Sequence, residues 1–259
     1  MGAKQFYTRF REIFDRLEKE QDDVIAEVAE WAAEAIACDR FVLVFGTGHC
    51  AIPAMDVYPR IGSYPGWLPI HELCTSYIAT VLGNQGLRQT MFLEKVDGFG
   101  KLMLENYRLD PRDIMVVISN SGVNTMGIEV ALEVKKQGLK TVAITSLEHS
   151  RASKSYHKTG KRLFEVCDRT LDTCMPQGDA LVEVQGLPYK VAAASSIAGS
   201  LVLQALAAET ALKLAERGVS LPVFPSHNAK MSHEEEEAVE AMVGAVLAEH
   251  ARRTTGFLK

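Results

Sequence analysis

The clearest pattern in the chain is an apolar run that ends in a polar turn and is followed by a helix start, and it occurs twice. The first run, residues 41–45, leads into Gly46-Thr47-Gly48-His49-Cys50-Ala51. The second run, residues 115–118, stops at Ser119-Asn120-Ser121-Gly122, and apolar residues then recur at helical spacing. Such short apolar runs are typical of buried parallel strands. The pattern therefore predicts two units of strand, turn and helix.

The remaining segments extend this alternation along the chain. Further strands are predicted at residues 67–71, 141–145, 169–174 and 180–184, and helices at residues 99–107 and 191–217, with a loop and a short amphipathic piece at 83–98. Short links between strands and helices imply right-handed βαβ connections. We therefore predict a three-layer α/β/α sandwich whose mainly parallel sheet has about five strands.

The two ends of the chain are predicted to be helical. Residues 4–37 lack Gly and Pro and carry apolar residues at helical spacing, which indicates one long helix or two stacked ones. This apolar stripe is longer than one sheet face needs, so it is compatible with a covering helix or with a contact to a second subunit. Near the other end, Ser232 and Glu235 form the pattern of a capping box. We predict a single domain with segments at residues 1–38, 39–223 and 224–259.

The turn at residues 119–125 has the composition of an anion-binding turn. The N–H groups at a helix start carry the positive end of the helix dipole. The hydroxyls of Ser119, Ser121 and Thr125 and the amide of Asn124 add donors for phosphate oxygens, and Gly122 permits a tight turn. A capped helix with nothing bound is the other interpretation of the same residues.

The turn at residues 46–51 permits a second interpretation as well. Gly46, Gly48 and Ala51 match the permissive dinucleotide-binding fingerprint, and Glu72 follows at a distance suited to a ribose contact. A single match of this kind is weak evidence. Pro53 falls in the first turn of the predicted helix, and dinucleotide binding leaves the second turn unexplained.

Both turns are accounted for by a resemblance to a known family. The stretch Ser119-Asn120-Ser121-Gly122-Val123-Asn124-Thr125 resembles the phosphate loop of SIS (sugar isomerase) domains, in which Ser-x-Ser-Gly-x-Thr holds the phosphate of a phosphosugar. Asn124 stands where the family usually has Thr. The resemblance covers residues 39–223 and is closest to a phosphoheptose-isomerase-like bacterial group, through residues 172–180 and 191–198. It implies the SIS fold and a phosphosugar ligand.

The resemblance also implies roles for individual residues. The phosphate would be held by the second turn, and the sugar by the first turn and the start of the late helix; these residues are Gly46, Thr47, Gly48, His49, Ser119, Asn120, Ser121, Gly122, Asn124, Thr125, Ser195 and Ser196. Glu72 is the candidate base for an aldose–ketose isomerase that works through an enediolate. The late-helix histidine of phosphoheptose isomerases is missing, so His49 or His227 is the candidate second acid/base. A phosphosugar ether lyase and a non-catalytic phosphosugar sensor are the alternatives.

Composition narrows the possible partners, cellular location and cofactors of the protein. A net charge of −5 and the lack of a long basic stretch argue against a nucleic-acid partner. The N-terminal residues are polar, and no apolar run reaches the roughly 20 residues of a membrane span. The five cysteines lack Cys-x-x-Cys spacing and suggest a reduced cytoplasmic protein. His149 and His157 are expected in solvent. We expect no cofactor, no metal site, and a homodimer or homotetramer.

Overall fold

The computed structural model describes residues 1–82, 86–226, 228 and 230–259. At its centre is a five-stranded sheet in the order β2-β1-β3-β4-β5, in which every neighbouring pair is parallel. The strands are β1 (Val42–Gly46), β2 (Trp67–Ile70), β3 (Ile114–Ile118), β4 (Lys140–Thr145) and β5 (Arg169–Asp172). The predicted parallel sheet is confirmed. Because β1 and β3 are neighbours, the two turns that follow them lie side by side.

Helices cover both faces of the sheet. The chain contains α1 (Gly2–Ala37), α2 (Ala51–Val57), α3 (Tyr77–Val81), α4 (Gly86–Leu93), α5 (Phe99–Leu104), α6 (Thr125–Lys136), α7 (Leu147–Arg151), α8 (Ser195–Glu216) and α9 (His233–Thr254). Val44 and Val116 point towards α1, α2 and α8, whereas Phe45 and Val117 point towards α5 and α6. Alternate residues of each strand are thus buried on opposite faces, as in a parallel sheet covered on both sides. The three-layer sandwich is confirmed.

The start of the late helix differs from the sequence-based prediction. Residues 191–193 are not helical; they form β7 (Val191–Ala193), which pairs antiparallel with β6 (Ala180–Val182) in a separate two-stranded sheet. The helix α8 begins only at Ser195. The carboxylate of Asp179 explains this start, because its Oδ1 accepts the Ser195 N–H at 2.8 Å and satisfies a helix-terminal donor. The predicted edge strand at 180–184 therefore belongs to this hairpin and not to the main sheet.

The terminal helices are anchored to the core. α1 is one continuous helix of 36 residues. At the start of α9, Ser232 and Glu235 form the predicted capping box. Near its end, Arg253 is buried and donates to the carbonyl of Ile36 at 3.0 Å. A charge-assisted bond of this kind holds α9 against the end of α1.

Within the described ranges, α8 is the one helix whose length and composition would suffice to cross a membrane. It packs between α1 and α2, and Val202, Leu203 and Leu206 are buried in the core. Buried core helices commonly meet the same criterion, so α8 is explained by its place in the fold.

Candidate functional site

The two predicted turns meet at the carboxyl edge of the sheet. The Asn120 N–H donates to the Cys50 sulfur at 3.4 Å, which joins the turn after β3 to the turn after β1. The start of α8 reaches the same place, because the Ser196 hydroxyl donates to the carbonyl of His49 at 3.4 Å. Ligands of open α/β sheets bind at this edge. The structure therefore brings together three of the segments that the sequence analysis selected.

The turn after β3 is fixed by hydrogen bonds within the turn and to neighbouring segments of the chain. The Gly122 N–H donates to Ser119 Oγ at 3.2 Å, and the hydroxyl of Thr145 donates to the carbonyl of Asn120 at 3.2 Å. The Gly122 carbonyl accepts the Leu163 N–H at 2.8 Å. Gly122 has φ +63°, a left-handed conformation that favours glycine. These contacts fix the turn and leave its outer side facing a cleft.

The cleft has a volume of about 740 Å³, within the range of small-molecule sites. Ser121 and Asn124 line it on the side of the turn, and Lys95 and Lys154 line it on the outer side. Lys95 Nζ lies 4.1 Å from the centroid of the Tyr156 ring. In the part of the chain that the structure describes, neither lysine forms an ion pair. The cleft thus places two lysines beside the turn, together with the Glu94 carboxylate, which lines it as well.

Glu94 is the functional candidate that sequence reasoning missed. It follows α4, and its Oε2 accepts the Asn124 side-chain N–H at 2.6 Å. A Cβ placed on Gly48 would lie 3.3 Å from Glu94 Oε1, so the carboxylate lies between the two turns. Burial raises the pKa of Glu94, and the Thr47 hydroxyl and the charge of His49 oppose that rise. A half-buried carboxylate with a raised pKa is a candidate general base.

His49 belongs to the first turn and is exposed. The Cys50 sulfur is the largest cause that raises the pKa of His49 to about 9, and the carboxylates of Asp179 and Glu94 act in the same direction. With this pKa the imidazole is a cation at neutral pH. A cationic imidazole can stabilise a developing oxyanion or donate a proton to it.

Several hydroxyl and amide groups of the site are buried with no hydrogen-bond partner among the described residues. They are Asn120 Oδ1, Thr125 Oγ1 and Ser195 Oγ, each on a residue that the sequence analysis proposed for ligand contact. Buried polar groups normally have partners. Their clustering around the two turns is consistent with a polar ligand site.

Glu72 has contacts that lie away from this cluster. The carbonyl of Glu72 accepts the Thr75 N–H at 3.0 Å just after β2. The charge of Glu72 contributes to raised pKa values of Cys74 and Tyr107, for which burial is the larger cause, so its neighbours lie beyond the first turn. No contact described for Glu72 joins it to residues 119–125, and its role stays a prediction. His227 lies outside the described residues.

A group of possible metal ligands occurs near α5, although none was expected. Side-chain atoms of Asp97, Glu129 and His157 lie within 4.8 Å of one another. Both Glu129 oxygens accept backbone N–H groups, from Gly98 at 2.6 Å and Gly100 at 3.1 Å. Glu129 thus caps the start of α5, and Asp97 is paired with Lys158 at 2.9 Å. The expectation that His157 lies in solvent is wrong, because it is 6% exposed within the polar loop after α7.

The comparison with protein-family models decides the family. The model for the SIS domain matches residues 5–146. The chain belongs to the SIS domain family. The family resemblance expected from the turn at residues 119–125 is therefore confirmed. In this SIS domain the turn follows β3, the central strand of the sheet.

Relatives and solved structures agree with this assignment. The chain is 35% identical over 235 residues to a UPF0309 protein from Listeria monocytogenes, covering 91% of this chain and 94% of the relative. It is 31% identical over 225 residues to a UPF0309 protein from Oceanobacillus iheyensis, covering 87% and 89%. The structure of a phosphoheptose isomerase from Neisseria gonorrhoeae matches with a TM-score of 0.51 and 15% identity, over 81% of this chain and 96% of that chain. That likeness shows the shared fold.

Proposed function

We propose that this SIS protein binds a phosphorylated sugar and interconverts its aldose and ketose forms. The observation that carries the proposal is the position of Glu94, whose half-buried carboxylate contacts the turn residue Asn124 at 2.6 Å and lies beside the first turn. A phosphate on the turn would place the sugar chain along this carboxylate.

The phosphate would be bound by the Ser121 hydroxyl and by N–H groups at the start of α6. The helix dipole favours the negative charge there, and Lys95 and Lys154 add positive potential across the cleft. The Asn124 side-chain amide already donates a hydrogen bond to Glu94, so we assign it the role of orienting this base. This contact with Glu94 accounts for Asn at the position where the family pattern usually has Thr.

In the reaction, Glu94 would take a proton from the carbon beside the carbonyl and return it to the neighbouring carbon. The enediolate formed between these steps carries negative charge on oxygen. The cationic imidazole of His49 would stabilise that oxygen and exchange a proton with it. A positioned general base contributes roughly 10²–10⁴-fold to such a step.

The ligand is found first by thermal shift against sugar phosphates, the matching free sugars, NAD(P) and inorganic phosphate. The phosphate site is supported if a sugar phosphate raises Tm and the matching free sugar does not. If NAD(P) alone raises Tm, the phosphate site is contradicted and the first turn is better interpreted as a dinucleotide-binding turn.

The catalytic part is tested by NMR of the bound sugar phosphate in D₂O. We expect deuterium to enter at the carbon beside the carbonyl, and Glu94→Gln to slow this at least 100-fold. Glu72→Gln is the matched variant, and it is expected to retain exchange. Binding without exchange in the wild type would support the sensor alternative, and loss in Glu72→Gln alone would restore Glu72 as the base.

Self-association is the second part of the proposal. Exposed apolar side chains cluster in and around α3 and α4, among them Leu73, Leu82 and Phe92 at 71%, 64% and 69% exposure. A patch of this kind beside the cleft is typical of an interface. We expect a homodimer or homotetramer by light scattering, and Phe92→Glu is expected to shift it towards the monomer.

A further inference from the structure

A second cleft, separate from the sugar site, lies between the end of α2, the end of β2 and α9. Its volume is about 380 Å³, and it is lined by Met55, Tyr58, Leu68, His71, Leu247 and His250 among others. The Tyr58 and His250 rings stack with centroids 4.7 Å apart. The cleft thus joins the C-terminal helix to the edge of the main sheet.

Polar atoms from three separate elements are buried here with no partner among the residues that the structure describes. They are the Tyr58 hydroxyl, both ring nitrogens of His71, and Nδ1 of His250. Tyr58 is 3% exposed. A buried polar group without a partner costs roughly 1–3 kcal/mol, so several in one cleft indicate a ligand that they share.

The chemistry of the lining selects the kind of ligand. Among the residues that the structure describes, those lining the cleft include no Lys, Arg, Asp or Glu. The described lining thus offers neither a positive charge for an anion nor a carboxylate of the kind that Mg²⁺ or Ca²⁺ prefers. Imidazole nitrogens suit zinc and copper, and the Met55 thioether is also a soft ligand.

We propose that His71 and His250 bind one zinc-type transition-metal ion in this cleft, with water completing its coordination. The buried Tyr58 hydroxyl would hydrogen-bond to a water on the ion. Because His71 follows β2 and His250 lies on α9, the ion would fasten the C-terminal helix to the sheet. This role is structural and does not depend on the proposed sugar chemistry.

The test uses metal-free, full-length protein. Zn²⁺ binding is measured by calorimetry in the wild type, His71→Gln and His250→Gln, with His233→Gln as the matched control on the exposed first residue of α9. We expect one ion per chain, a rise in Tm with Zn²⁺, and binding at least about 10-fold weaker in each of the first two variants. The control is expected to bind as the wild type does.

Cobalt(II) provides a second readout that separates this cleft from the cysteines. Bound at His71 and His250, Co²⁺ is expected to give visible ligand-field bands without the near-ultraviolet charge-transfer band of a sulfur ligand. Circular dichroism of each variant checks that it is folded. Unchanged Zn²⁺ affinity in folded His71→Gln and His250→Gln, or a sulfur charge-transfer band in the wild type, would overturn the proposal.

Discussion

Gly122→Ala tests whether the turn after β3 is held as tightly as its contacts indicate. Alanine at φ +63° costs roughly 1–2 kcal/mol of backbone strain. Its Cβ would lie 2.8 Å from Ser150 Oγ and 3.0 Å from Thr145 Oγ1. Moving Thr145 weakens its hydrogen bond to the carbonyl of Asn120, which is worth about 1 kcal/mol. The free energy of unfolding should therefore fall by about 2–3 kcal/mol.

For a domain of this size, that loss lowers Tm by roughly 4–12 °C in a calorimetric scan. Gly160→Ala is the matched control, because Gly160 has φ +71° and no atom within 4 Å of an added Cβ. The control should carry only the backbone cost, and only Gly122→Ala should also lose the response to a sugar phosphate. If Gly122→Ala melts at or above the control, the reasoning about these contacts is refuted.

Three further predictions concern charged groups. Asp113 is buried and accepts two bonds from Arg40 at 3.0 Å, so Asp113→Asn should lower the free energy of unfolding by about 3 kcal/mol in urea titrations, and an unchanged midpoint would contradict this. Burial raises the pKa of Glu94, so the free energy of unfolding falls as pH rises from the ordinary glutamate pKa through the raised one. Glu94→Gln should remove this dependence of stability on pH. An unchanged dependence in the variant would contradict the assignment to Glu94. The raised pKa of His49 contributes stability that is complete below its ordinary value and is lost as pH rises through about 9. Cys50→Ser should lower the pKa of His49 in an NMR titration, and an unmoved value would rule out the Cys50 sulfur as the cause.

Local patterns were enough to predict the sheet, because the apolar runs at β1 and β3 are buried on both faces and end in turns with few interpretations. The capping box at Ser232 could be predicted for the same reason, since its two partners are three residues apart. The start of α8 could not, because the pairing of β7 with β6 and the bond from Ser195 to Asp179 join residues distant in sequence.

Glu94 was missed for a related reason. It follows a short helix with no motif around it, and its contact with Asn124 spans 30 positions of the sequence. Glu72 was selected because of its position after a strand and the resemblance to a family. His157 was expected in solvent because of its polar neighbours, yet the loop after α7 folds back so that the next residue upstream, Tyr156, donates its N–H to the carbonyl of Val123 at 2.9 Å. Polarity of a segment predicts exposure of its average residue and not of each side chain.

Calorimetric titration of the wild type, Ser121→Ala and Ser153→Ala with one sugar phosphate and its free sugar tests the central claim most directly. Ser153 lines the same cleft, but its hydroxyl already donates to the carbonyl of His149 at 2.8 Å. The phosphate site predicts binding of the sugar phosphate alone, at least about 10-fold weaker in Ser121→Ala, since a hydrogen bond to a charged group is worth roughly 1.5–3 kcal/mol, and unchanged in Ser153→Ala. Equal affinity for the free sugar, or full affinity in Ser121→Ala, would contradict the claim that the turn at residues 119–125 holds the phosphate.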